Sequence, residues 1–141
     1  MDVDGVLSDA SGRQHLLGGE PKSWAAFFEA SVQDPPISEG IRLVAGLVDD
    51  RAMVLVTARP ARLADTTVAW LERNSVSWDL LVMRRDGDHR SSPEVKSEAL
   101  EGLRADGYEV QLALDDDPGN ARMYRAAGVS TVYLHSGYYD L

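Results

Sequence analysis

Ala52-Met53-Val54-Leu55-Val56-Thr57 is apolar on both faces until its final hydroxyl. A strand exposed on one side would alternate, so this run predicts a strand buried on both faces of a parallel sheet. Outward from it, short apolar runs alternate with amphipathic segments of helical length, the pattern of a parallel α/β fold. Asp79 to Met83, Val110 to Leu114 and Thr131 to Leu134 read as further strands, and Val3 lies on a shortened first one. Between them, Ile37, Ile41, Val44 and Val48 recur at helical spacing, as do Leu63, Thr67 and Leu71, and then Val95, Ala99 and Leu103. Arg59-Pro60, Ser92-Pro93 and Asp117-Pro118 look like helix entries, with Ser92 and Asp117 as N-cap types. Gly107 and Gly128 fall where two of these helices should stop.

Composition narrows the class. The chain has 141 residues, 44% of them apolar and 26% charged, enough for one domain with a core. It has no cysteine, so disulfides, thiolate zinc sites and a cysteine nucleophile are excluded. No apolar run is long enough for a membrane span, no secretory signal is expected, and the default residence is cytoplasmic. A net charge of −9 argues against stable, broad binding along a nucleic-acid backbone, yet permits contact with one terminal phosphate. Residues 8–36 are the least regular part; Lys22 to Ser31 reads as a short helix before Pro35-Pro36, a possible small flap over a pocket, with two of Trp24, Phe27 and Phe28 expected in the core.

Chemistry-bearing residues fall at strand ends. In Asp2-Val3-Asp4-Gly5, side chains at i and i+2 of an extended strand point the same way, so both carboxylates can face one pocket. Gly5 allows a sharp turn and removes a side chain where a phosphate could approach. Thr57 at a strand's carboxyl end can bind a phosphoryl oxygen or merely cap the next helix. Lys96, in the first turn of its helix, is either a structural lysine or a counter-charge to a transferring phosphoryl group. Asp115-Asp116-Asp117 would repel one another without compensation; Asp117 reads as a cap, while Asp115 and Asp116 suit a hard-oxygen Mg²⁺ site. Arg84, Arg85, His89 and Arg90 form the one basic cluster.

The ordered set Asp2-x-Asp4-Gly5, Thr57, Lys96, Asp115-Asp116 with Asn120 resembles the four motifs of the haloacid dehalogenase superfamily. Its phosphohydrolases imply a Rossmann-like three-layer α/β/α sandwich with a mainly parallel sheet, here without a large cap domain. The resemblance implies a phosphomonoester hydrolase with Asp2 as nucleophile and Asp4 as general acid/base, protonated at the start because acidic neighbours would raise its pKa. It further implies Thr57 and Lys96 on the phosphoryl group, and Mg²⁺ held by Asp2, the Asp4 backbone carbonyl and the Asp115-Asp116 pair, Asp116 above all. Within the superfamily the sequence is most similar to the phosphatase domain of polynucleotide kinase/phosphatases, through Thr57-Ala58-Arg59, Leu81-Val82-Met83 with Gly87-Asp88-His89-Arg90, and Ser136-Gly137-Tyr138. That resemblance implies substrate contacts from Arg13, Arg59 and Arg90, and a phosphorylated nucleic-acid end (3′-phosphate) or nucleotide as substrate. Ser92 departs from it, standing where an acidic residue is expected. No Gly-x-x-x-x-Gly-Lys-Ser/Thr loop occurs, so the chain carries no kinase half of that type.

Two other readings compete. Asp2 to Asp9 is also similar to the first motif of sugar-acid phosphatases, which implies a small sugar phosphate as substrate. A non-catalytic phosphate-binding module is the third, although a receiver domain would carry its acidic pair and phosphoacceptor in another order. Only Met1 precedes Asp2, where a central strand would bring several apolar residues, so the native protein is expected to begin upstream; an N-terminal peptide starting at Met1 in the native protein's mass spectrum would refute that.

Overall fold

Residues 1–139 are described by the structure, a computed structural model. The expected buried strand is β1, Val54–Pro60, which pairs in parallel with β2, Leu80–Arg84, from Val54↔Leu80 to Thr57↔Met83. The register then slips and pairs Pro60 with Arg84, leaving Ala58 and Arg59 in a bulge. Arg59-Pro60 therefore ends a strand instead of opening a helix. A second parallel pair joins β3, Leu112–Asp115, to β4, Ser130–Tyr133.

Residues 1–3 join the two pairs. The Met1 amine donates to the Val54 carbonyl (2.8 Å), Val56 N–H donates to the Met1 carbonyl (2.9 Å), and Asp2 N–H donates to the Leu114 carbonyl (2.9 Å). The spatial order is β2, β1, residues 1–3, β3, β4. Below Met1 the edges of β1 and β3 face each other across a cavity of about 370 Å³ lined by Val54, Val56, Leu100, Leu112 and Tyr124.

Helices cover both faces. On one, α2 (Ser38–Leu47) and α3 (Ala64–Arg73), with Val44, Trp70 and Leu71, pack with Val3, Val6, Leu7 and Leu55. On the other, Leu100 of α4 (Ser92–Ala105) and Tyr124 of α5 (Pro118–Ala126) enclose Ala113 and Val129. The expected entry of α4 moves by one residue: Ser91 is the N-cap, in a capping box with Glu94, so Lys96 falls in the second turn. Asp117 caps α5 as expected, accepting from Gly119 N–H (2.7 Å). No helix among the described residues is long and apolar enough to cross a membrane.

Before α2 the chain forms a 3-10 segment (Ala10–Leu17), the short α1 (Trp24–Glu29) and a second 3-10 segment (Ala30–Gln33). Only Phe27 of its three aromatic residues is buried; Trp24 is 49% exposed, against the expectation that two would join the core. A hydrogen bond from Trp70 Nε1 to the Asp34 carbonyl (2.8 Å) ties the end of this segment to α3.

Gly40 lets α2 rest directly on the loop after the first acidic motif. A Cβ there would lie 1.8 Å from the Val6 carbonyl oxygen. Alanine favours an unhindered helix by ~1 kcal/mol over glycine. Overpacking of ~1–3 kcal/mol outweighs that gain when the obstacle is backbone. Gly40→Ala is therefore expected to lower the urea midpoint; an unchanged midpoint would mean that α2 can retreat from Val6 without loss.

Candidate active site

Two neighbouring strand positions and a helix bring a lysine and three carboxylates together. Asp2 lies on the central segment, Asp115 ends β3 with Asp116 following, and Lys96 reaches in from α4 with none of its surface exposed. Lys96 Nζ lies 2.9 Å from Asp2 Oδ2 and donates to Asp115 Oδ2 at 2.7 Å. Asp115 is fully engaged, because its Oδ1 accepts from Asp117 N–H and from Asn120 Nδ2 (both 3.0 Å). Asp2 is held by the Leu114 ladder bond and by its own Oδ1, which accepts from Val3 N–H (2.7 Å).

Asp116 is different. It is buried, and neither of its carboxylate oxygens has a hydrogen-bond partner; Ser136 comes near without good geometry. Burial pushes its pKa up to about 7, Ser136 and Lys96 working against this and Asp115 adding to it. Burial likewise raises Asp2, against Lys96 and with Asp115 and Asp116. Lys96 is pushed down by burial but held well above the usual lysine range by Asp2 and Asp115. Carboxylate oxygens of Asp2, Asp115 and Asp116 all lie within 4.8 Å of one another. One ammonium cannot balance three carboxylates, and an orphaned buried carboxylate beside two others suits a hard divalent cation, so the donor set fits Mg²⁺. Gly5, at φ +78°, is required by this packing: a Cβ would sit 2.0 Å from Asp116 Oδ2.

A stability consequence follows with a definite sign. A carboxyl raised in the folded state binds a proton that the unfolded chain has released, so the fold loses stability as pH rises from the usual aspartate range through about 7. A cation on the carboxylates removes that loss, and its binding displaces the protons. The rise in melting temperature on replacing EDTA with Mg²⁺ is expected to grow from pH 5 to pH 8; a rise independent of pH would refute the assignment of Asp116 as the titrating group.

Asp4 points elsewhere. Its carboxylate is paired with Arg13 Nη2 and with Arg59, whose Nη2 donates to Asp4 Oδ1 at 2.7 Å and whose Nε lies 3.1 Å from Oδ2. Burial pushes Asp4 up, but Arg59 and then Arg13, by charge and hydrogen bond, hold it below the usual carboxylate range. The acidic neighbours expected to raise it are outweighed. The Asp4 carboxylate also stands apart from the cluster of Asp2, Asp115 and Asp116.

Both guanidiniums are buried, and neither extends free into the cleft. Asp34, a residue that no motif singled out, holds them from behind. Arg13 donates to it from Nε (3.0 Å) and Nη2 (2.7 Å), Ser8 Oγ donates to it at 2.6 Å, and Arg59 Nη2 lies 3.7 Å away. Arg13 also donates from Nη1 to the Phe27 carbonyl (3.2 Å) and lies 4.2 Å over the Phe27 ring. The one available signal was an acid directly before Pro35-Pro36.

Thr57 is buried, and its Oγ1 accepts from Arg59 N–H (3.2 Å) while keeping its own proton to donate. Arg84 fastens its loop, donating to the carbonyls of Ala58, Asp88 and Arg90 (2.9, 3.0 and 2.6 Å). Arg90, half-exposed, pairs with Asp88 and Glu98. Ser92 Oγ accepts from Asn120 Nδ2 (3.1 Å). Asp2 and Asp4 form the floor of a cleft of about 790 Å³, with Arg90, Trp24, Phe28 and Tyr138 among its walls. Tyr138 donates to Asp9 (2.8 Å), joining the end of the chain to the first acidic loop.

Known proteins share this fold. A model of the polynucleotide kinase PNKP phosphatase domain matches residues 1–139. The protein named "Putative nucleotidase YqfW" from Bacillus subtilis (strain 168) is 26% identical over 96 residues, which are 67% of this chain and 44% of that protein. Two structures of the Pnkp1/Rnl/Hen1 complex, one described as an RNA repair complex, contain a similar fold, at 22% identity over 94% of this chain. Their TM-scores are 0.75 and 0.71, and the match spans 43% and 40% of those chains. The chain thus spans less than half the length of the proteins it resembles. It belongs to the PNKP phosphatase-domain family of haloacid dehalogenase-type hydrolases.

Proposed function

We propose that the chain hydrolyses a phosphomonoester through a phosphoaspartate on Asp2, with Mg²⁺, on a nucleic-acid end (a 3′-phosphate) or a nucleotide. The observation that carries this reading is the cluster of Asp2, Asp115 and Asp116, in which Lys96 bridges Asp2 and Asp115 while Asp116 is unpartnered, beneath a cleft that opens on Asp2 and Asp4. Asp2, the Asp4 carbonyl and Asp116 would hold Mg²⁺, with Asp115 orienting Lys96. When bound, the ion would neutralise these carboxylates and part of the charge on the phosphoryl oxygens.

Asp2 attacks phosphorus, Lys96 and Thr57 hold the phosphoryl oxygens, and the leaving oxygen takes its proton from Asp4. Water then cleaves the phosphoaspartate, with Asp4 as base. As it stands between Arg13 and Arg59, Asp4 is set for the base step. The acid step needs the pair loosened, and an incoming phosphate dianion competes for the same guanidiniums. Drawing one off would let burial raise Asp4 towards the protonated form. Arg13 and Arg59 would then touch substrate, with Arg90 at the rim.

The test is phosphate release in Mg²⁺ or EDTA from 3′- and 5′-phosphorylated oligonucleotides, mononucleotides and sugar phosphates. Turnover of nucleic-acid ends or nucleotides in Mg²⁺ only is the expected result. Turnover of sugar phosphates alone would transfer the site to small-molecule metabolism, and none at all would leave a phosphate-binding module.

A further inference from the structure

The cleft has two chemical halves. Its floor is ionic, built from Asp2 and Asp4, whereas one wall is the aromatic cluster of Trp24, Phe27 and Phe28. Trp24 is 49% exposed, although a tryptophan ring is normally among the more buried side chains. Its position is nonetheless well defined: it stacks on Phe28 with centroids 5.9 Å apart and planes at 27°, and meets Phe27 edge-on at 5.8 Å. Phe27, beneath, lies against the Arg13 guanidinium, so the platform is bolted to the side chain that grips Asp4.

Lys22 Nζ lies 5.9 Å from the Trp24 centroid and has no carboxylate within 4.0 Å among the described residues. The ammonium lies over the ring that lines the cleft. A floor where Asp2 would take a phosphate once a cation offsets its carboxylates, a half-open ring backed by a second ring, and an ammonium over that ring together match a nucleotide: phosphate, flat base and the next phosphodiester. A sugar phosphate offers no flat π-face to this wall.

We propose that Trp24, backed by Phe28, is a nucleobase-stacking subsite that holds the base of the phosphate-bearing nucleotide, with Lys22 taking the adjoining phosphodiester. It rests on the reading of the site as a phosphatase for nucleic-acid ends or nucleotides.

The experiment uses short single-stranded oligonucleotides phosphorylated at the 3′ or the 5′ end, each with a matched version whose phosphate-bearing nucleoside lacks its base. Steady-state phosphate release is measured for wild type, Trp24→Ala and Trp24→Phe, with thermal melts to show that all three are folded. Binding of the same fluorescently labelled oligonucleotides is measured separately in an Asp2→Asn background, where turnover is not needed. Trp24→Ala is expected to raise KM and Kd for base-bearing ends by ~5- to 150-fold, the range of one lost base–aromatic stack. Trp24→Phe should restore most of this, kcat should change little, and abasic ends should respond far less. Equal losses on base-bearing and abasic ends, or none, would overturn the subsite. No phosphate release from any substrate would overturn the phosphatase reading; if binding still discriminated the base through Trp24, the subsite would stand apart from it.

Discussion

Asp2→Asn is expected to abolish phosphate release without unfolding the protein. Asparagine has the same shape, so its side-chain oxygen can still accept from Val3 N–H and the ladder bond to Leu114 persists. An amide cannot attack phosphorus to form an acyl phosphate, and losing a covalent nucleophile costs ~10⁴- to 10⁶-fold in kcat. Stability should move the other way. Asp2 is one of three carboxylates crowded about a single ammonium, and burial already works against its charge. Removing that charge leaves Lys96 paired with Asp115, so the melting temperature in EDTA is expected to hold or rise. The paired measurement is kcat by phosphate release and a thermal melt. An active, folded Asp2→Asn protein would end the assignment of Asp2 as nucleophile.

The second large effect is on the fold. Lys96→Met conserves the length of the side chain and deletes its charge where no surface is exposed. Asp2 and Asp115 then face each other, with Asp116 beside them, without a cation. Breaking a buried ion pair by removing one partner costs ~3–5 kcal/mol, a large part of the stability of a small domain. Chemical denaturation in EDTA checks this. Mg²⁺ should restore part of the loss, because a second cation can serve the same carboxylates, while phosphate release stays low. A variant as stable as wild type in EDTA would mean that these carboxylates are balanced by protons and that Lys96 has no structural role.

Chemistry was legible wherever it sat at the carboxyl end of an apolar run. Thr57 and Asp115-Asp116 each follow such a run, and strand ends are where parallel sheets gather ligands; Asp2, with only Met1 before it, was marked by its spacing to Asp4 and Gly5. Helix positions followed from periodicity to within a residue or so, the Ser91 cap being one place early. What escaped was long-range pairing of polar groups. An acid before Pro35-Pro36 is the one local mark on Asp34, and it does not point to Arg13 and Arg59, since their juxtaposition depends on how the segment after the first motif folds back. The low pKa of Asp4 escaped for the same reason: charge counting along the chain saw its acidic neighbours and not the arginines brought in by tertiary structure. Two of Trp24, Phe27 and Phe28 are expected in the core and only Phe27 is buried, because spacing identifies an apolar face without saying what covers it.

The three residues that join the half-sheets also bear on the order of folding. The pairs β1–β2 and β3–β4 are each made between neighbouring stretches of the chain, and each can assemble around its own helices. Uniting them requires Asp2 to find Leu114, a closure across most of the polypeptide, and contacts of that separation form late and slowly. Until then β1 and β3 each present an unpaired edge with apolar side chains, the kind of surface that associates with other chains. Refolding yield should therefore fall as protein concentration rises, even though the finished molecule is strongly acidic and self-repelling.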